Sequence, residues 1–218
     1  MRVWGIFVFF ALLILAGNAG AVGDLFDENF DDGSADGFVP DCPLWNISYE
    51  GTYHISNSGY EVYCWTIAGD ATWSDYTYSL SLKSQFSVNQ IIAFRVQENR
   101  DCYVLNLRAD PWNDAVLTKW KDNILYHLSF VSFPNYNGIW HDLQVSLIGA
   151  TMQFNVDGQE VFTFTDDEDP FLTGKIGVIS YTGGVIQQQI LDVDNVRVDS
   201  FVVPTTNTTL SSIKALYR

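Results

Sequence analysis

The chain has 218 residues, 26 of them acidic and 11 basic, for a net charge of −15 at neutral pH. So acidic a surface repels nucleic acid and anionic lipid, which excludes both as partners. It suits solubility and divalent cations, but by itself it names no function.

The first 21 residues combine Arg2, an apolar run from Val3 to Ala16 and the small triplet Ala19-Gly20-Ala21. This is the three-part layout of a secretory signal peptide, with cleavage expected after Ala21. An uncleaved N-terminal anchor is the alternative, although the apolar run is short for a span of about 20 residues. No later stretch is apolar enough to cross a bilayer, so the mature chain is expected to be exported: secreted, periplasmic or associated with the cell surface. Cleavage leaves 197 residues, enough for one all-β domain.

Next comes Asp31-Asp32-Gly33-Ser34-Ala35-Asp36-Gly37, which packs three carboxylates into a glycine-containing turn. Calcium favours six to eight oxygen ligands from loops of this kind. A structural Ca2+ held by Asp31, Asp32 and Asp36, completed by Asp192 and Asp194, is one expectation. The other is that these Asp side chains cap their own turns. Of the three cysteines, Cys42 and Cys64 are expected to pair in an oxidising compartment, leaving Cys102 as a small buried hydrophobe. No Cys/His spacing suits zinc.

From Asp75 onward the pattern is alternation. Tyr76, Tyr78, Leu80 and Leu82 share one face and Thr77, Ser79, Ser81 and Lys83 the other, the period of a half-buried strand. Similar runs occupy 90–97, 102–109, 123–131, 139–148, 151–157, 159–165, 174–181 and 188–199, all rich in β-branched and aromatic residues. Asp157-Gly158 reads as a two-residue hairpin, whose turn requires positive φ. Two or three short strands before residue 70 bring the total to roughly a dozen, the pattern of an all-β, two-sheet antiparallel sandwich over 24–200. Large rings suit the gap of about 10 Å between its sheets. The polar, Thr-rich segment 201–218 reads as a linker-like tail.

Several stretches resemble the concanavalin A-like lectin/glucanase superfamily: FDENFDDGSADGF at 26–38, LWNISYEGTYHIS at 44–56, GIWHDLQVSLIGATMQFNVDGQEVFTFTD at 138–166, GKIGVISY at 174–181 and LDVDNVRVD at 191–199. The likeness is nearest to laminin G-like or pentraxin-like jelly rolls of secreted bacterial proteins, including a domain linked to 3-keto-disaccharide hydrolysis. It covers about residues 25–199. It implies a jelly roll whose chain ends lie side by side, with Phe26–Phe30 near Leu191–Val198, and a central hairpin in which Trp140 packs between the sheets. Calcium sites near the chain ends occur in some carbohydrate modules of this fold.

Function is less legible. Family-16 glycosidases on this fold carry a Glu-x-Asp-x-x-Glu run, and this chain has none. The acidic stretch Asp166 to Asp169 before Pro170 reads as a solvated loop. A sugar site needs flat rings beside hydrogen-bonding groups, and the loop with Arg108, Asp110, Trp112 and Asn113 offers both. Trp112 is the leading contact, with Trp73 and Trp120 behind it and Arg95 presented from a strand. Each Trp equally fits a core position, and each Arg a salt bridge. The leading expectation is a non-catalytic, lectin-like module for a glycan or polysaccharide. An extracellular structural or protein-interaction domain comes second, and a sugar-active hydrolase with a non-standard site third.

Overall fold

The computed structural model describes residues 23–86, 89–134, 137–183 and 187–201. The signal-peptide expectation and the tail beyond Phe201 lie outside them. Fifteen strands follow in chain order: β1 (Gly23–Glu28), β2 (Val39–Pro40), β3 (Trp45–Ile47), β4 (Tyr53–Ser58), β5 (Val62–Ala68), β6 (Tyr76–Phe86), β7 (Asn89–Val96), β8 (Cys102–Arg108), β9 (Asp114–Lys121), β10 (Ile124–Ser132), β11 (His141–Ile148), β12 (Thr151–Val156), β13 (Gln159–Thr165), β14 (Lys175–Thr182) and β15 (Gln188–Ser200). Five of them precede residue 70, more than the two or three expected, because β2 and β3 are too short to show a period.

All pairings are antiparallel, in two sheets that form a jelly-roll sandwich. The first sheet runs β13-β12-β11-β6-β15-β4-β3, with β1 also on β15; the second runs β10-β9-β8-β7-β14-β5-β2. One edge of β15 serves two partners. Residues 188–193 pair with β4, and residues 196–200 pair with β1, setting Phe26 opposite Val198. The first and last described strands therefore adjoin. At the Asp157-Gly158 turn joining β12 to β13, both residues have positive φ, as a tight hairpin of this twist requires.

Alternation decides what enters the core. Tyr76, Tyr78, Leu80 and Leu82 of β6 face Phe94, Tyr103, Leu105 and Val178 from the second sheet in one buried cluster. Three phenols also bond across the gap. Tyr78 Oη donates to Gly177 O (3.2 Å), Tyr76 Oη accepts from Arg95 N (3.1 Å), and Tyr53 Oη meets Thr66 Oγ1 (3.1 Å). The disulfide between Cys42 and Cys64 ties the loop after β2 to β5. Cys102 is a buried free thiol whose pKa burial pushes up.

Three expectations are corrected. Arg95 is not presented by a sheet face, because the β7–β14 pairing slips at this point and Arg95 has positive φ. The side chain turns inward, fully buried, and its guanidinium donates to the carbonyls of Gly149, Phe171 and Ser74. Gly174 makes room for the bulged backbone: a Cβ there would sit 2.3 Å from Arg95 C. Trp140 does not pack between the sheets. The next residue, His141, takes the inward position, so Trp140 lies outside the first sheet, 37% exposed, with Lys83 Nζ 4.6 Å over its ring.

Asp166 is not solvated. It is buried beneath the inward-facing Lys119, whose Nζ donates to its carboxylate (2.7 Å) and to the carbonyls of Glu168 and Asp169. Burial alone would raise the Asp166 pKa. Hydrogen bonds from Lys119, Tyr103 Oη and Glu168 N outweigh it and hold the group below the ordinary carboxylate range. A depressed folded pKa gives stability that is present above about pH 4 and lost as pH falls through the folded value. Lys119→Met strands the buried carboxylate and should cost about 3–5 kcal/mol, read by denaturant unfolding at pH 7. Asp166→Asn should flatten the loss of stability below about pH 4, and an unchanged acid limb would show that other carboxylates govern it.

Candidate functional site

The outward face of the second sheet departs from the usual polar exterior. Ile91, Val104, Val116 and Ile179 point away from the core, yet none is more than 7% exposed. Ile91, Val104 and Ile179 form a second apolar cluster with Trp65, Ala93, Val96 and Cys102, against which Ile67, Trp120 and Tyr181 pack. A groove of about 210 Å³ lies on this face, lined from β5, β7, β8, β9, β10 and β14. Its rings belong to one assembly. Tyr63 stacks on Tyr181 with centroids 4.3 Å apart, and Trp120 meets Tyr63 and Trp65 edge-on at 5.6 and 5.3 Å.

The polar lining comes from Asn89, Asn106, Arg108, Thr118 and His127. Asn106 Nδ2 donates to Asn89 Oδ1 (2.8 Å), and Thr118 Oγ1 bonds His127 Nδ1 (3.0 Å). Asn106 Oδ1 is buried and has no partner among the described residues. Such an acceptor costs about 1–3 kcal/mol unless something donates to it. Gln189 holds this arrangement from across the sandwich. Lying buried on β15, it accepts from Tyr181 N and Ser180 Oγ and donates to Asn89 O (2.6 Å), fixing two strands of the groove.

The expected contacts divide between this groove and its rim. Arg108 and Trp120 line it. Arg108 is held bidentately by Asp114, its Nε donating to Oδ1 (2.7 Å), and its guanidinium lies 5.6 Å over the Trp112 ring. Trp112 is 48% exposed in the loop between β8 and β9, whose Asp110–Pro111 bond is cis. Asp110 is exposed in that loop, and the carbonyl of Asn113 accepts from Phe133 N (2.9 Å). Arg95 lies elsewhere, in the interior. Sequence reasoning missed Tyr63, Tyr181, Asn89 and Asn106; the signal was their outward phase on strands whose two faces are both apolar.

The five carboxylates proposed for calcium are not gathered. Asp32 accepts from Ser34 N and Oγ, which lowers its pKa; Asp36 also accepts from Ser34 Oγ, and Asp31 from Asn29 Nδ2. Asp194 takes Asn195 N, and its pKa is raised by burial with Asp31's charge adding to it. Asp192 is engaged on the first sheet by His54 and Gln85. Among the described residues, the group of three ligating side chains whose donor atoms lie within 4.8 Å of one another is Asp41, Cys42 and Cys64, and there the sulfurs are bonded together.

No family model matches the chain, and no curated protein matches it in sequence. Solved structures do match its fold. Carbohydrate binding module CBM66 from Bacillus subtilis superposes with a TM-score of 0.62 at 16% identity, over 75% of this chain and 96% of that one. A Bacillus licheniformis beta-glucanase gives 0.61 at 12% identity, over 81% and 98%. A sialidase gives 0.59 at 13% identity, with 81% of this chain spanning 18% of that one. At such identities the likeness establishes the fold, which serves both binding and catalytic proteins.

Burial, with Tyr181 beside it, pushes the Tyr63 pKa up to about 12. In an ultraviolet pH titration, the phenolate signal missing from Tyr63→Phe should therefore rise late, and Tyr181→Phe should bring it earlier. A Tyr63 titrating near pH 10 would mean that its hydroxyl is less shielded in solution than in this structure.

Proposed function

We propose that this chain is an exported, lectin-like glycan-binding module whose sugar site is the groove on the second sheet. The observation that carries the reading is the pairing of the Trp120–Tyr63–Tyr181 rings with the unpartnered Asn106 Oδ1 in one groove. A sugar offers a C–H face to a ring and a hydroxyl to a buried acceptor, so one ligand satisfies both. Export is supported by the Cys42–Cys64 disulfide, which persists in oxidising compartments.

Binding is favoured over hydrolysis by the groove's chemistry. Glycosidases of the common type need two carboxylates flanking the bond. The outward side chains of β8 are Cys102, Val104, Asn106 and Arg108, and no lining residue of the groove is acidic. This chemistry supports a binding member of the laminin G-like or pentraxin-like branch that the sequence resembles. A second reading, an extracellular protein-interaction domain, draws on β10. This edge strand exposes Ile124, Tyr126 and Phe130 and carries no Lys, Glu, Asp or Pro to guard it.

The test is calorimetric titration of residues 22–218 against a panel of neutral and acidic oligosaccharides. Trp120→Ala should weaken binding about tenfold or more, the loss of roughly 1.4 kcal/mol expected when a stacked ring is removed. Trp112→Ala at the rim should weaken it less. No saccharide binding by the wild type, together with concentration-dependent self-association, would replace this reading with the protein-interaction one.

A further inference from the structure

The outward face of the first sheet holds a nearly buried carboxylate with several partners. Asp192 projects from β15, the strand between β6 and β4, yet its side chain is only 5% exposed. Its carboxylate accepts from His54 Nδ1 (2.7 Å), Gln85 Nε2 (2.6 Å) and Thr52 Oγ1 (3.4 Å), with Lys83 Nζ 3.4 Å away. Burial would raise the pKa of this carboxylate, and the His54 and Gln85 hydrogen bonds with Lys83's charge more than reverse it. The backbone ladder already joins β15 to β4 and β6, so these strands do not need the cluster to stay together.

The cluster sits in a pocket of about 830 Å³, roughly four times the volume of the aromatic groove. Because His54 turns Nδ1 to Asp192, its Nε2 has no protein partner among the described residues. Tyr49 stands at the margin of the pocket, 97% exposed, beside Asn46, Ser48 and Glu50. Trp140 covers Lys83 on the other side. The polar surface continues along β6 and across β11 to β12 through a further 360 Å³ lined by Ser79, Ser81, Gln144 and Asn155. From β12 to β3 the strand spacing gives a track on the order of 24 Å.

We propose that this face is a second saccharide site, specific for neutral glycans, and that the chain therefore bridges two glycan strands. The inference rests on the glycan-binding reading of the groove. Short hydroxyl and amide side chains beside exposed rings suit a hydroxyl-rich ligand. Anionic sugars are disfavoured, because Asp192, Glu50 and Asp142 outnumber Lys83 and no arginine lines either pocket. The two sites lie on opposite outer faces of the sandwich, so one sugar ring cannot occupy both.

The experiment titrates the mature chain calorimetrically with cellohexaose, xylohexaose, mannohexaose and laminarihexaose, and follows turbidity with the corresponding polysaccharides. The wild type should bind two hexasaccharides per chain and cross-link the polymer. Trp120→Ala and the double variant His54→Ala/Tyr49→Ala should each retain one and lose cross-linking, with thermal unfolding confirming that each is folded. One ligand per chain, abolished by Trp120→Ala and untouched by the double variant, would overturn the second site and leave the groove standing. Binding that neither variant alters, or none at all, would overturn both.

Discussion

The separation and alignment of the two sheets depend on inward-facing phenols that reach across the gap. Tyr78 bonds the carbonyl of Gly177, Tyr76 the amide of Arg95, and Tyr53 the hydroxyl of Thr66. A buried hydroxyl without a partner costs about 1–3 kcal/mol, so sliding one sheet past the other would forfeit all three contacts at once. The rings fill the space and their oxygens specify the alignment. Gly177 answers a separate constraint within its own sheet, since a Cβ there would lie 2.8 Å from Thr66 O on the neighbouring β5.

That alignment reaches the outer surface through strand alternation. Once Gly177 is fixed under Tyr78, Ile179 and Tyr181 follow on β14 at the floor and wall of the groove. Gln189 repeats the device from β15, bonding Tyr181 N, Ser180 Oγ and Asn89 O through the sandwich. The aromatic wall is thus held by buried bonds to the opposite sheet rather than by a loop, and sites on strands keep their geometry better than sites on loops. Trp112, by contrast, rests on a loop and on the Arg108–Asp114 pair.

Most strands were legible because one face is apolar and the other polar, as in β6 and β11. The reading failed where this contrast vanishes. On β9, Val116 and Trp120 face outward into an apolar groove while the charged Lys119 faces inward, so no clean period marks the strand. Arg95 was misplaced because a bulge reverses phase, and a bulge has no sequence signal here. The burial of Asp166 depends on Lys119, 47 residues away in sequence, and no local composition rule carries such information. Asp192, one of the carboxylates offered to calcium, is engaged by His54 of β4 and by Lys83 and Gln85 of β6, partners that no local pattern announces.

The charge distribution limits what either face will accept. At −15 the chain repels polyanions at long range, and neither face supplies a free arginine to reverse that locally. Arg108 is neutralised by Asp114 and Lys83 by Asp192, while Arg95 lies inside. The apolar groove keeps acids away from its rings, and the polar face presents amides and hydroxyls. A neutral polyhydroxylated ligand escapes the repulsion and meets both rings and hydrogen-bonding groups. Electrostatics and shape therefore select the same class of partner, although the composition that sets the charge carries no trace of either site.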